Sequence, residues 1–108
     1  MKKPLIVGNW KMYMNCTEAV QLVRTIKAGV YKFHDVTTVI CPPFTALSTV
    51  SEELRDSEIG LGAQNMHYES EGAYTGEISP PMLFSSSSTD ISAISLSPTD
   101  IYSSAYSS

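Results

Sequence analysis

Pro4-Leu5-Ile6-Val7-Gly8-Asn9-Trp10-Lys11-Met12 begins as a short apolar run and stops abruptly at Asn9 and Lys11. A continuous apolar run of this length, closed by glycine, suits a strand buried on both faces. In sheets covered by helices, ligands meet the carboxyl ends of such strands. Asn9 and Lys11 stand at that end. They offer an amide that donates and accepts, and a hydrated cation on a flexible stem. A phosphorylated or otherwise anionic small molecule fits that pair. From position alone the ordinary reading of Lys11 is a solvated loop charge, and of Trp10 loop or core packing. The rest of the chain decides between the two.

Outward from this strand, residues 11–15 read as a loop. Thr17 is the expected cap of a first helix, with Glu18 in the first turn, where a carboxylate suits the helix dipole. Val20, Val23, Ile26 and Val30, with Leu22 beside them, form an apolar stripe at helical spacing, and Gly29 is the expected stop. Val36-Thr37-Thr38-Val39-Ile40 is β-branched throughout and reads as a second strand, with Cys41 at its carboxyl end and Pro42-Pro43 closing it. Thr45 is the expected cap of a second helix that turns Leu47, Val50 and Leu54 inward and Ser51, Glu52 and Arg55 outward. Ile59-Gly60-Leu61-Gly62-Ala63 reads as a third strand whose small residues allow close approach. Gln64 and Asn65 follow it, as Asn9 follows the first. A long polar loop, residues 66–77, suggests function, because such loops are uncommon otherwise. Ser79-Pro80-Pro81 then reads as an N-cap with prolines in the first turn of a third helix. The order β-α-β-α-β-(α) is a run of βαβ units and so a parallel sheet. It places Asn9, Lys11, Gln64 and Asn65 on one rim.

From Phe84 the composition changes. Eleven of the last 25 residues are serine and none is basic, so the tail has too little apolar surface to offset its ordering entropy. It is expected to be irregular and disordered, or out of frame, with a short strand near 91–96 as the alternative. The chain thus divides into residues 1–83 and a Ser-rich tail, 84–108.

With 108 residues, 43% hydrophobic and 17% charged, the chain has the size of one small globular domain. A net charge of −4 and the lack of any basic cluster argue against nucleic acid and anionic lipid as partners. The apolar run after Lys2 and Lys3 is too short for a signal peptide, and no segment approaches the ~20 apolar residues of a membrane helix. Cys16 and Cys41 lack metal-ligand or CxxC spacing, so a reduced pair in a cytoplasmic setting is the default. His34 and His67 read as ordinary histidines, not metal ligands.

Four stretches, in order and at matching spacing, resemble one family. Gly8-Asn9-Trp10-Lys11-Met12, Cys41-Pro42-Pro43-Phe44, Gly62-Ala63-Gln64-Asn65 and Gly72-Ala73-Tyr74-Thr75-Gly76-Glu77-Ile78-Ser79-Pro80 are all similar to triosephosphate isomerase. The resemblance covers residues 1–83. It implies a (β/α)8 barrel of which about three units are present. It also implies interconversion of dihydroxyacetone phosphate and glyceraldehyde 3-phosphate in glycolysis and gluconeogenesis, without metal or organic cofactor, usually by a homodimer. The family's tuned carboxylate and closing loop come with the resemblance. Such a reaction removes a proton beside a carbonyl. It needs a base, a neutral electrophile and a fixed positive charge where the enediolate forms.

By the resemblance, Lys11 is that charge, and Asn9 contacts substrate and holds Lys11. Gln64 and Asn65 shape the floor. The loop bearing Tyr74, Thr75 and Gly76 enters a partner subunit, and Met12 and Tyr13 receive the partner's loop. Tyr13 stands where the family commonly has Asn. Glu77 is expected to pair with an Arg just after a fourth strand. The family's electrophilic histidine lies in a His-Ser-Glu-Arg-Arg stretch that does not occur here, and its catalytic glutamate belongs to later elements. His34 and His67 fall on the wrong elements for that role.

The expectation is therefore an isomerase by descent, cut short by a frameshift, a mis-called splice or a truncated gene model, and inactive alone. Three strands cannot close an eight-stranded barrel, so open edges and bare apolar faces are expected. The alternative is a non-catalytic protein that binds an intact isomerase subunit through the Thr75 loop. A flavodoxin-like phosphate binder ranks last, because no Gly-rich phosphate loop follows the first strand.

Overall fold

The computed structural model describes residues 4–33 and 35–86, and the backbone of 91–97 and 100–105. Lys2, Lys3 and His34 lie outside the described residues, as do parts of the tail. The elements follow the order β1 (Leu5–Asn9), α1 (Cys16–Val30), β2 (Thr37–Cys41), α2 (Phe44–Glu53), β3 (Gly60–Gly62), α3 (Pro80–Ser85), β4 (Ile91–Ser97) and β5 (Asp100–Ala105). They form one sheet in the order β1-β2-β3-β4-β5. The first four strands run parallel, and β5 returns antiparallel to β4.

The β-branched and aliphatic runs sort by period two. Ile59, Leu61 and Ala63 join Ile40 in a cluster with Ala19 and Val23 of α1, Ala46, Leu47 and Val50 of α2, and Leu83 of α3. All three helices thus feed one face. The opposite face holds Val39 and Cys41 with Val7 against them. Gly60 lies on that face beside Val39, where a Cβ would come within 3.1 Å of the valine side chain. One-sided helices on a parallel sheet are the arrangement of a barrel segment; a doubly wound sheet is covered on both faces. At the β1 edge Leu5 is 55% and Ile6 54% exposed, so apolar surface is left open there.

Ion pairs tie the two long helices together outside the core. Arg24 donates to both carboxylate oxygens of Glu53, at 3.3 and 3.1 Å. Lys27 donates to the Glu53 carbonyl at 2.8 Å and to Asp56 at 2.6 Å.

Several boundaries differ from the sequence reading. Asn15 caps α1, not Thr17. Its side chain accepts from the Glu18 amide at 2.9 Å while Glu18 accepts from the Asn15 amide at 3.0 Å, a reciprocal box that satisfies two end donors. Gly29 does not stop α1, which runs through Val30 because that side chain packs on the core. Thr45 does not cap α2. Pro43 occupies the cap, and no side chain bonds there. Ser79 caps α3 as expected, accepting from the Met82 amide at 3.3 Å, with the prolines in the first turn. The alternative of a short strand near 91–96 in the tail matches β4, and β5 follows it. Pairing of β4 with β3 satisfies the amides and carbonyls of an otherwise open edge.

Candidate functional site

The carboxyl ends of β1, β2 and β3 meet at Lys11. The ladder between β1 and β2 continues one step past Asn9, with the Trp10 amide donating to the Cys41 carbonyl at 3.2 Å. The chain then turns sharply. Lys11 takes φ 54° and Met14 φ 79°, both in the left-handed region, which a residue with a Cβ enters only at a cost.

Two side chains brace this turn. Asn9 Oδ1 accepts from the Lys11 amide at 2.9 Å, an Asx turn that closes on its own backbone. Gln64 Nε2, from beyond β3, donates to the Lys11 carbonyl and to the Cys41 carbonyl, each at 2.9 Å. One amide group therefore joins the ends of all three strands, and the capping box at Asn15 fixes the far end of the loop.

The Lys11 side chain is exposed, and among the described residues no carboxylate pairs with it. A held backbone with an uncommitted ammonium at a strand-end rim is suited to an anion. Cys41 sits beside it but is not a nucleophile. Burial pushes its thiol up to about 11, which keeps it protonated. Both cysteines are free thiols.

Asn65 is exposed next to Gln64. Met12 and Tyr13 project from the β1–α1 loop, 94% and 69% exposed, and Tyr74, Thr75, Gly76 and Glu77 are exposed on the β3–α3 loop. That second loop has structure of its own. The His67 amide donates to the Ile78 carbonyl at 2.8 Å and closes its base, and the Glu77 amide donates to the Tyr74 carbonyl at 3.0 Å. The His67 ring lies 4.6 Å from the Tyr68 ring and 4.3 Å from that of Tyr74. Gly72, at φ 150°, passes so close to Tyr74 that a Cβ would fall 2.5 Å from the ring.

The structure thus brings Asn9, Lys11 and Gln64 together. It places Met12 and Tyr13 on one loop and Tyr74 to Gly76 on another. Sequence reading missed the double donation by Gln64 and the ring stack on His67. A glutamine directly after a strand, at the same rim as Asn9, was the available signal for the first. Only Gly72 hinted at the second. Among the described residues no group of three His, Cys, Asp or Glu is placed to hold a metal. Nor is any helix among them long and apolar enough to cross a membrane.

Comparison with known proteins gives one result. A sequence model described as triosephosphate isomerase matches residues 4–91. The triosephosphate isomerase of Chloroflexus aurantiacus is 54% identical over 83 residues, covering 77% of this chain and 33% of that protein. That of Carboxydothermus hydrogenoformans is 53% identical over the same coverage, 77% and 33%. The crystal structure of triosephosphate isomerase from Bartonella henselae superposes with a TM-score of 0.73 at 37% identity, over 82% of this chain and 36% of that one. The chain spans about a third of the length of the curated relatives it matches.

Proposed function

Since this chain belongs to the triosephosphate isomerase family, we propose that it carries the anion-holding corner of an isomerase that interconverts dihydroxyacetone phosphate and glyceraldehyde 3-phosphate. The observation that carries the reading is the clamped turn at Lys11, braced through its amide by Asn9 and through its carbonyl by Gln64. Removing a proton beside the carbonyl of a triose phosphate puts negative charge on the adjoining oxygens. An ammonium fixed in advance stabilises that charge without reorganising during the step. Lys11 attracts the phosphate dianion and then the enediolate, Asn9 touches substrate while fixing the turn, and Gln64 and Asn65 form the floor. A cytoplasmic place in glycolysis and gluconeogenesis follows from the reaction.

The proton-transferring groups are not assigned to this chain. His67 is held between Tyr68 and Tyr74, on a different loop from Lys11. The chain alone therefore binds substrate weakly and does not turn it over. In the assembled enzyme the loop tip at Tyr74, Thr75 and Gly76 enters a second subunit, whose own tip covers Met12 and Tyr13. Glu77 supports that loop.

The test has two parts. Purified chain is assayed with dihydroxyacetone phosphate, and the expected rate is that of buffer. Amide NMR shifts are then followed during titration with the same compound. Shifts are expected at Asn9, Lys11 and Gln64, and Lys11→Met should remove them. Turnover above the buffer rate refutes the assignment of no catalytic base, and unchanged binding by Lys11→Met refutes the role of Lys11.

A second reading is a non-catalytic chain that docks on an intact isomerase subunit. The prebuilt Tyr74 loop favours it, since a rigid element binds at lower entropic cost. It predicts comigration with a full-length relative in size exclusion, lost on replacing Tyr74 and Thr75.

A further inference from the structure

β1 stands at one end of the sheet, and among the described residues only β2 pairs with it. Two bonds fix the direction of its backbone groups. The Thr37 amide donates to the Pro4 carbonyl at 2.8 Å, and the Trp10 amide donates to the Cys41 carbonyl at 3.2 Å. The even-numbered residues of β1 therefore turn their backbone groups towards β2. Alternation along the strand turns the amides and carbonyls of Leu5, Val7 and Asn9 outward. They lie on the same edge as the exposed side chains of Leu5 and Ile6. An edge of this kind is a template for another strand.

The strand is bounded at both ends, and the bounds select its partner. Pro4 has no amide to give, and at Lys11 the chain leaves the line of the strand with φ 54°. Between these limits the outward residues are spaced evenly about Val7. A second copy of β1, laid antiparallel and centred there, sets Val7 against its own equivalent. Leu5 then meets Asn9 of the second copy at either end. Each of these pairs exchanges two hydrogen bonds, so every outward group of β1 is used. Any other register leaves outward groups unpaired. The side chains fit the same register. On the helix-covered face it lays the exposed Ile6 beside Gly8 of the second copy, which has no side chain to obstruct it. On the bare face it sets Val7, already packed on Val39 and Cys41, beside its equivalent. Lys2 and Lys3 precede Pro4 and Lys11 follows Asn9, so cations gather at both ends of the pair, and added salt favours it. β5 lies at the far end of the sheet. Its edge could meet β1 of another copy only head-to-tail, as an array and not a closed pair.

We propose that the β1 edge docks a second copy of this chain, the two β1 strands joining antiparallel about Val7 into one continuous sheet. The surface shares no residue with the loop tip at Tyr74, Thr75 and Gly76, and it stands or falls apart from the reading of Lys11.

The experiment is sedimentation equilibrium of the full chain from about 10 µM to about 1 mM, the range that populates a weak strand-edge contact. Amide exchange is followed across the same range. The mass should climb from one chain to two and stop, and the pair should tighten with added salt. The Leu5, Val7 and Asn9 amides should exchange more slowly as concentration rises, while those of Tyr74, Thr75 and Gly76 stay unchanged. Leu5→Pro removes one outward donor from each copy, at a position whose amide the β1–β2 ladder does not use. It should raise the dissociation constant about tenfold, the scale of two exposed hydrogen bonds. Ile6→Lys, at an exposed side chain, should act in the same direction, and Thr75→Ala should have no effect. The proposal is overturned by a chain that stays monomeric at the highest concentration, by a mass that climbs past two, or by a pair that salt weakens. A dimer indifferent to both β1 variants overturns it as well, and one abolished by Thr75→Ala assigns the contact to the loop tip instead. So does an unfolded chain, since only the folded sheet presents the edge.

Discussion

Replacing Gln64 with alanine should loosen the Lys11 turn, and the size of the effect can be worked out from the contacts. Two N–H···O bonds of 2.9 Å are lost. Each is worth about 1 kcal/mol net. The Cys41 carbonyl keeps the Trp10 amide at 3.2 Å, and the Lys11 carbonyl is at an exposed corner where water replaces the donor. Once released, Lys11 can leave φ 54°, recovering part of the left-handed cost, which is on the order of 1 kcal/mol. The net loss is then about 1 kcal/mol, which at a urea slope near 1–2 kcal/mol per M lowers the midpoint by about 0.5–1 M. Trp10, the only tryptophan, adjoins the turn and reports unfolding by fluorescence. A companion variant sharpens the result. Lys11→Gly removes the Cβ that makes φ 54° costly, and should stabilise the native background by about 0.5 kcal/mol after glycine's own chain entropy. In the Gln64→Ala background that gain should fall towards zero, because the turn is no longer held. If Gln64→Ala leaves the midpoint unchanged and Lys11→Gly has the same effect in both backgrounds, Gln64 does not hold the turn.

Three further outcomes follow from other contacts. Gly72→Ala should drive the Tyr74 ring away from His67, at a cost of about 1–3 kcal/mol for the strained backbone; it is read as loss of mutual ring-current shifts, and their survival sinks the idea. Lys27 holds the Asp56 carboxyl below its ordinary 3.8, so the pair's contribution is present above the unfolded-state value and fades as pH falls through the lower folded one. The stability gap between wild type and Lys27→Met should therefore be constant near neutrality and narrow below about pH 4 to what the Glu53 carbonyl bond contributes, and a gap undiminished at pH 2 contradicts it. With its thiol pushed up to about 11, Cys41 should be alkylated by iodoacetamide at pH 8 far more slowly than exposed Cys16, as mass spectrometry would show, and equal labelling in the native state refutes the burial argument.

The strands and the long helices were legible because their signals are local. The run from Leu5 to Gly8, the β-branched run ending at Cys41 and the 3.6-residue stripe from Val20 to Val30 each declare their period. Cap residues were less legible, because Asn15 and Thr17 are both good caps. Only the reciprocal bond with Glu18, three residues after Asn15, decides between them. Gly29 was misread because the packing of Val30 outweighs the helix-ending preference of glycine. In the tail the serine content masks the strand near 91–96, whose sequence lacks a strict two-residue period and whose pairing depends on the distant edge of β3. At the candidate site, the residue types on the rim were readable. The left-handed Lys11 backbone and the bond from Gln64 were not, since they join residues 53 apart and leave no local pattern.

That separation has a consequence for synthesis. The peptide at Lys11 cannot be locked until Gln64 has been made and β3 has docked. At about 5–20 residues per second, the ribosome spends roughly 3–10 seconds making the intervening chain. During that interval the first strand lacks this brace, and Leu5 and Ile6 have only β2 as a neighbour once it has been made. The corner with the most demanding backbone is thus among the last parts of its region to form, and a nascent chain stalled between α2 and Gln64 holds the end of its first strand through Cys41 and Asn9 alone.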